Sequence, residues 1–427
     1  MKKPILKLTF LILILVLITS VCLTSCGVLK AFSGIADIYG SIQDYEDIGG
    51  NPPSDENNSG NEGNKDSLPP SNIVIEGAGA SDVAYAASAG LRSSVNVCAR
   101  FGSTGTSTGS GVIFKLDSDG SSCFIITNFH VVYYNNSISN DISVFLFGMQ
   151  SGDYVIPATY VGGSAYYDIA VLRVQSSELL SSCVKSGSVA AVTIADSDGI
   201  MAGQTAIAIG APGVSDSSVL SSIAVTSGVV SVDSEYITMT SVNGISDVKF
   251  RVVRIDTAVN SGNSGGGLFN SKGELIGIVN AKITKTDVEN IAYAIPSNVA
   301  KAVANNIVDY CYGKSCKSVM RAMMGVTVEV SKLSTVYDKE SGILRSVEEI
   351  SIQAVEKGTL SDGALMAGDI VKSVKIGEKT IEVTRMHHLI DTMLDARVGD
   401  EVITTVIRNG AQKEVKIIIT QDCLTEY

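Results

Sequence analysis

From about Ser81 to Ile307 apolar positions arrive in short runs split by Gly, Ser, Asn and Asp: "SGVIFKL", "CFIITN", "ISVFLFG", "IAVLRV", "TAIAIG", "SGVVSV", "KFRVVRID" and "ELIGIVNAKI". Many short strands at close spacing with turn residues between them predict an all-β barrel or sandwich. In "SNVAKAVANNIVDYC", Ser297 to Cys311, the apolar period changes to that of a helix, with Ser297 placed as its N-cap. From about Val319 onward the pattern predicts a small α+β unit. It contains a helical stretch around Met386 to Leu394 and a hairpin turning at Asn409-Gly410.

The two ends of the pattern differ. Residues 1 to 25 carry Lys2, Lys3 and Lys7 and then the apolar run Leu8 to Leu17, the layout of a secretory signal. Residues 49 to 72, "GGNPPSDENNSGNEGNKDSLPPSN", hold almost nothing apolar and cannot offset their chain entropy by burial. The expected organisation is a signal peptide over 1–25, a flexible tether over 26–78, a β-rich domain over 79–315 and the smaller unit over 316–427.

Composition narrows the function. The formal charge is −12 and becomes −15 once the lysines of the signal are removed, which argues against nucleic acid as a partner. Of eight cysteines, Cys98, Cys123, Cys183, Cys311, Cys316 and Cys423 remain in the body of the chain, and Cys311 with Cys316 is the candidate local bridge. Three histidines and no Cys-x-x-Cys pair lead us to expect no metal and no cofactor. His387 and His388 fall on the C-terminal helical stretch and receive no chemical role.

Ser264 stands among glycines in "SGNSGGGLFN", and a serine hydroxyl needs a base, held in turn by a carboxylate, to become a nucleophile. His130 is the single histidine of the β-rich part and follows an apolar strand. Asp168 directly precedes the buried strand "IAVLRV". Each alone is more often a turn residue than a catalyst; the order His, Asp, Ser in one β-rich domain favours catalysis.

Eight stretches in sequence order carry a resemblance: "GSGVIF" at Gly109, "ITNFHVV" at Ile126, "DIAVLRV" at Asp168, "ADSDGIMAGQTAIAIGAPG" at Ala195, "AVTSGVVS" at Ala224, "IDTAVNSGNSGG" at Ile255, "GELIGIVNA" at Gly273 and "AYAIPSN" at Ala292. The domain resembles the HtrA (high-temperature-requirement) branch of the trypsin-like serine proteases. That resemblance implies a mainly β, chymotrypsin-like pair of six-stranded barrels. It implies Ser264 as nucleophile, His130 as general base and acid, Asp168 as its support, and an oxyanion hole from the amides of Gly262 and Ser264. It places a specificity pocket at Ala258, Asn280, Ala281 and Lys282, without an acid at its base, and so suited to a small aliphatic side chain. Asn263 lacks the charge that pairs with a newly cut N-terminus in digestive relatives, so control by zymogen cleavage is not expected. The loop Gly210 to Val225 is the candidate for ordering on substrate binding.

"RAMMGVTVEV", "SDGALMAGDIVKSV" and "VGDEVITTVIRNG" resemble a bacterial PDZ domain, with Met324, Gly325 and Val326 as the loop that receives a peptide C-terminus. "LTSC" ending at Cys26 resembles a bacterial lipobox, which implies lipidation of Cys26; a plain cleaved signal and an uncleaved anchor are the alternatives. All three put the body of the chain outside the cytoplasm, and the first holds it at the outer face of the cytoplasmic membrane. Together these imply a serine endopeptidase of the cell envelope acting on unfolded or mislocalised proteins and recruiting peptide C-termini, with a homotrimer as the family's common assembly. A catalytically silent peptide-binding scaffold and a site-specific signalling protease are the rival readings.

Overall fold

The strands β1 (Ser94–Arg100), β2 (Thr106–Leu116) and β3 (Cys123–Thr127) show why the apolar runs are continuous rather than alternating. Cys123 and Ile125 enter one core with Val95, Val97 and Ile113. Phe124 and Ile126, on the opposite face, enter a second core with Ile207, Ile209 and Phe269. A strand covered on both faces needs no polar positions. The computed structural model describes residues 82–149, 152–212, 222–281, 291–340 and 342–427. The expected signal peptide, Cys26, all of the tether, Lys282 and most of the loop 210–225 lie outside those residues.

The three strands continue, past the short pair β4 (Tyr133–Tyr134) and β5 (Ser137–Ile138), into β6 (Asp141–Leu146), β7 (Ile156–Ser164) and β8 (Ile169–Val174). They close an antiparallel barrel in the order β1-β2-β3-β8-β7-β6. A second closed barrel follows from β9 (Thr205–Gly210), β10 (Ala224–Thr240), β11 (Asp247–Ile255), β12 (Gly267–Phe269), β13 (Leu275–Asn280) and β14 (Ala292–Pro296), in the order β10-β11-β14-β13-β12-β9. Its interior holds Ala206, Ala208, Val253, Leu268 and Val279. Between the barrels lies the shared core, to which β9 sends Ile207 and Ile209. The expected double barrel is therefore the observed fold.

Among the helices, α1 (Asp82–Leu91), the single turn α2 (Phe129–Val132) and α3 (Glu178–Lys185) precede α4 (Ser297–Cys311). The last presents Val299, Val303, Ile307 and Cys311, four residues apart, to the shared core. Ser297 is its first helical residue and not its N-cap, a correction. Pro296 occupies the cap, and the Ser297 hydroxyl is buried, donating to the Ala195 carbonyl at 2.8 Å. The Cys311 and Cys316 sulfurs lie 3.1 Å apart, but both are free thiols, so the expected bridge is not formed here.

The C-terminal part has a core of its own around Ile350, Val371, Val374, Val402, Val406 and Ile417. After β15 (Met320–Ala322), the sheet is built from β16 (Val326–Asp338), β17 (Ile343–Val355), β18 (Ile370–Ile376), β20 (Glu401–Arg408) and β21 (Ala411–Ile418), with β19 (Lys379–Glu382) beside β18. β16 lies at the edge of this sheet, and β22 (Leu424–Glu426) returns to pair with β15. The β20–β21 hairpin turns at Asn409 and Gly410 with φ of 51° and 77°, the left-handed pair that a two-residue turn requires. The helix α5 (Met386–Thr392) is slightly shorter than expected.

Candidate active site

β3 ends at Thr127, and the chain turns through Asn128 into α2, which carries His130. Asp168 immediately precedes β8, in a left-handed conformation with φ 50° that Asp tolerates better than most residues. Its carboxylate is buried but well supplied with donors. Oδ1 accepts the His130 backbone N–H at 2.9 Å; Oδ2 lies 2.7 Å from His130 Nδ1 and accepts the Asn280 side-chain amide at 2.8 Å. The carbonyl of Asp168 accepts the Phe129 N–H and the Asn128 side chain at 3.2 and 2.8 Å. A carboxylate only accepts, so Nδ1 must carry the proton. Nε2 is thereby left with the lone pair of a base.

Ser264 comes from the other barrel. Its turn is closed by the Asn263 N–H to the Asn260 carbonyl at 3.0 Å and by the Gly266 N–H to the Asn263 carbonyl at 2.9 Å. It is then fixed to the strand of the first barrel by Ser110, whose N–H donates to the Ser264 carbonyl at 2.8 Å. The Ser110 hydroxyl donates to the Gly262 carbonyl at 2.7 Å and accepts the Ala211 N–H at 2.8 Å. Thr127 in turn donates to the Ser110 carbonyl at 2.7 Å. One serine therefore ties the turn carrying Ser264 to the strand end that leads to His130.

Glycine is required where these segments meet. A Cβ on Gly109 would stand 2.6 Å from the Val131 side chain and 3.0 Å from the Ser264 carbonyl, so the residue after His130 and the backbone of Ser264 approach the same point. Gly265 has φ 84°, and a Cβ there would run into the Ser110 carbonyl. Gly262 has φ 97°, again open only to glycine at low cost.

Among the described residues the amides of Gly262 and Ser264 have no hydrogen-bond acceptor, nor does the Ser264 hydroxyl bond to His130. Two unspent amides next to a hydroxyl suit an oxyanion, and in ligand-free sites the nucleophile–base bond is commonly loose. The arrangement can take a proton from a hydroxyl at Nε2 and hold the resulting imidazolium against a carboxylate.

The structure joins His130 directly to Asp168, and at Gly109 it brings the backbone of Ser264 close to the residue after His130. Asn280 does not go where it was expected. Its side chain is fully buried and serves Asp168, so it does not form the wall of a specificity pocket. Ala258 is exposed, its carbonyl held by the Thr226 hydroxyl at 2.9 Å, and Ala281 is partly buried. Ser110 was missed by sequence reasoning, although the "GSG" at Gly109 marked a close approach of backbones.

Comparisons with known proteins bear on the fold and the family. Residues 109–278 match the family model described as a trypsin-like peptidase domain. The serine protease Do-like HtrA of Lactococcus lactis subsp. cremoris is 30% identical over 324 residues, 74% of this chain and 71% of that protein. A probable periplasmic serine endoprotease, DegP-like, of Ectopseudomonas mendocina is 28% identical over 314 residues, covering 73% of this chain and 56% of the relative. Among solved structures, the HtrA-type protease AlgW with a tripeptide superposes with a TM-score of 0.51 at 25% identity, covering 81% of this chain and 98% of that one. With its two barrels and the identity over most of a curated relative, the chain belongs to the HtrA family of serine proteases.

Proposed function

We propose that Ser264, His130 and Asp168 form the catalytic triad of an extracytoplasmic serine endopeptidase that degrades unfolded or mislocalised proteins. The observation that carries this reading is the buried Asp168 carboxylate, which fixes the His130 ring in the tautomer a general base needs. Ser264 would attack the scissile carbonyl while His130 Nε2 takes its proton and later returns it to the leaving amine. The amides of Gly262 and Ser264 would receive the oxyanion. Ala258 and Ala281, with Lys282 beyond the described residues, remain our assignment for the pocket.

The C-terminal sheet supports a peptide-recruiting role. A cavity of about 310 Å³ lies between the segment Met323 to Val328 and Leu389 and Ile390 of α5, with Met393 just beyond its end. Among the described residues the amides of Met324 and Gly325 have no acceptor, and β16 offers a sheet edge beside the cavity. This is the layout in which a peptide pairs with the edge and its carboxylate meets loop amides. We assign Met324, Gly325 and Val326 to that loop. The names of the relatives, periplasmic in one case, favour a location outside the cytoplasm. Lipidation of Cys26 and a trimeric assembly belong to the same proposal.

Reaction with a fluorophosphonate probe, followed by casein digestion, tests the reading. The wild type should label and digest; Ser264→Ala should do neither. Equal behaviour of the two proteins rejects the triad and leaves the silent scaffold. Labelling without casein digestion favours a site-specific protease.

A further inference from the structure

Asp198, His387 and His388 come together where α5 meets the turn Ser197–Gly199 of the double-barrel part. One ligating atom from each lies within 4.8 Å of the other two, and His387 Nε2 stands 3.7 Å from Asp198 Oδ1. Ligands of a tetrahedral zinc ion at about 2.0 to 2.1 Å are roughly 3.3 Å apart. Only a small adjustment separates the observed spacing from that one.

The hydrogen bonds around the rings have the form that ligating histidines require. His388 Nδ1 lies 2.9 Å from the Glu382 carbonyl, which can only accept. The Thr384 N–H also points at Nδ1, at 3.3 Å; the shorter Glu382 contact favours the proton on Nδ1, which leaves the lone pair on Nε2. His387 Nδ1 faces the Ser234 hydroxyl at 3.4 Å, which leaves its Nε2 for the Asp198 side. The two rings stand nearly perpendicular, at 88°, with centroids 4.5 Å apart.

Charged groups of both signs surround the cluster. Arg251 contacts Asp198 and Asp391 at 2.7 and 2.9 Å, and Arg385 contacts Asp233 and Glu348 at 3.4 and 3.5 Å. With Arg345 in the cavity wall, these four carboxylates face three guanidinium groups. The cluster opens on a cavity of about 660 Å³ lined in part by Met201, Arg345 and Thr384, which gives an ion a way in.

We infer that Asp198, His387 and His388 bind one zinc-class divalent ion that pins α5 to the second barrel. Two imidazoles with one carboxylate suit zinc or its first-row neighbours and not calcium or magnesium. The opposite face of α5 lines the peptide cavity through Leu389 and Ile390, so the ion would fix the wall of that cavity. This inference is independent of the catalytic reading and departs from the expectation of no metal site.

The full chain carrying Ser264→Ala, to prevent self-digestion, is stripped with a chelator and titrated calorimetrically with Zn²⁺, with metal content checked by elemental analysis. One equivalent should bind, and a hundredfold excess over Kd should raise the melting temperature by about 5 to 10 °C. His388→Gln and Asp198→Asn should each weaken binding by at least about 100-fold, since outer-shell partners alone are worth 10 to 100. His130→Gln should bind as the parent does. The inference is overturned if the parent binds no zinc, if both cluster variants bind normally, or if only the His130 variant loses the ion. Circular dichroism on the variants separates lost binding from lost fold.

Discussion

Replacing Ser110 by alanine tests how far the turn of the proposed nucleophile depends on a buried residue outside the proposed triad. The hydroxyl is buried, donates to the Gly262 carbonyl at 2.7 Å and accepts the Ala211 N–H at 2.8 Å. Its removal leaves two buried backbone groups without a partner, at roughly 1 to 3 kcal/mol each; relaxation of the turn keeps the sum near about 2 to 4 kcal/mol. For a unit of this size that is a fall in melting temperature of roughly 5 to 15 °C. The Ser110 N–H to the Ser264 carbonyl survives, so the turn should stay attached but lose its hold at Gly262. Complete loss of one oxyanion donor costs about 10² to 10³ in turnover, and loosening its neighbour should cost about 10- to 100-fold. The assay is kcat/KM on a fluorogenic peptide well below the variant's melting point, with fluorophosphonate labelling rate as a second reading. A variant that melts within about 1 °C of wild type and keeps its kcat/KM would refute the reasoning, because neither hydrogen bond could then matter.

Other perturbations follow from the same geometry. Ser264→Ala should lower turnover by about 10⁴ to 10⁶, read as loss of casein digestion in a folded protein. Asp168→Asn offers His130 a donor where it needs an acceptor, and kcat should fall by about 10⁴ while the melting temperature changes little. Gly265→Ala puts a side chain into the Ser110 carbonyl at φ 84°, and strain plus overpacking of roughly 2 to 5 kcal/mol should appear as poor expression or early melting. In the C-terminal sheet, burial raises the Asp369 pKa, but the bidentate Arg408 contacts at 2.7 and 2.6 Å outweigh it and hold the carboxyl below its usual value. A depressed carboxylate contributes stability above its unfolded pKa of about 3.9 and loses it as pH falls through the folded value. Urea unfolding from pH 6 to 2 should show this loss in wild type. In Arg408→Leu, whose stranded carboxylate costs about 3 to 5 kcal/mol at neutral pH, acid should instead relieve the defect.

Much of this was legible in the chain because burial on two faces leaves a plain trace. "CFIIT" and "TAIAIG" read as unbroken apolar strands because each feeds a barrel interior on one side and the inter-barrel core on the other. The pairing of His130 with Asp168 was legible because histidine is scarce: one ring in the β-rich part left little choice. What stayed hidden depends on contacts across long sequence separations. Asn280 donates to an aspartate 112 positions away and Ser110 to a carbonyl 152 away, and no local pattern reports either. The long β16–β17 ladder was missed for the opposite reason. Its outer half exposes Leu333, Tyr337 and Leu344 with charges between them, so it lacks the apolar continuity by which the other strands were found.

The same long-range bonds say why the site needs both barrels. His130 and Asp168 belong to the first and are complete as a pair, yet the third donor to Asp168 comes from Asn280 at the end of β13 in the second. Ser264 belongs to the second, yet its turn is held by Ser110 on β2 of the first. Each barrel therefore supplies a chemical group and a clasp for the group of the other. Neither clasp can form before the faces carrying Ile126, Ile207 and Phe269 have come together. The shared apolar core supplies the energy of docking without direction, and the clasps supply direction with little net energy. A barrel interface repacked with equal apolar area but shifted by even one strand position would keep most of its stability and lose both clasps; the proposed catalysis would fail first, since it tolerates about 1 Å of misplacement far less than folding does.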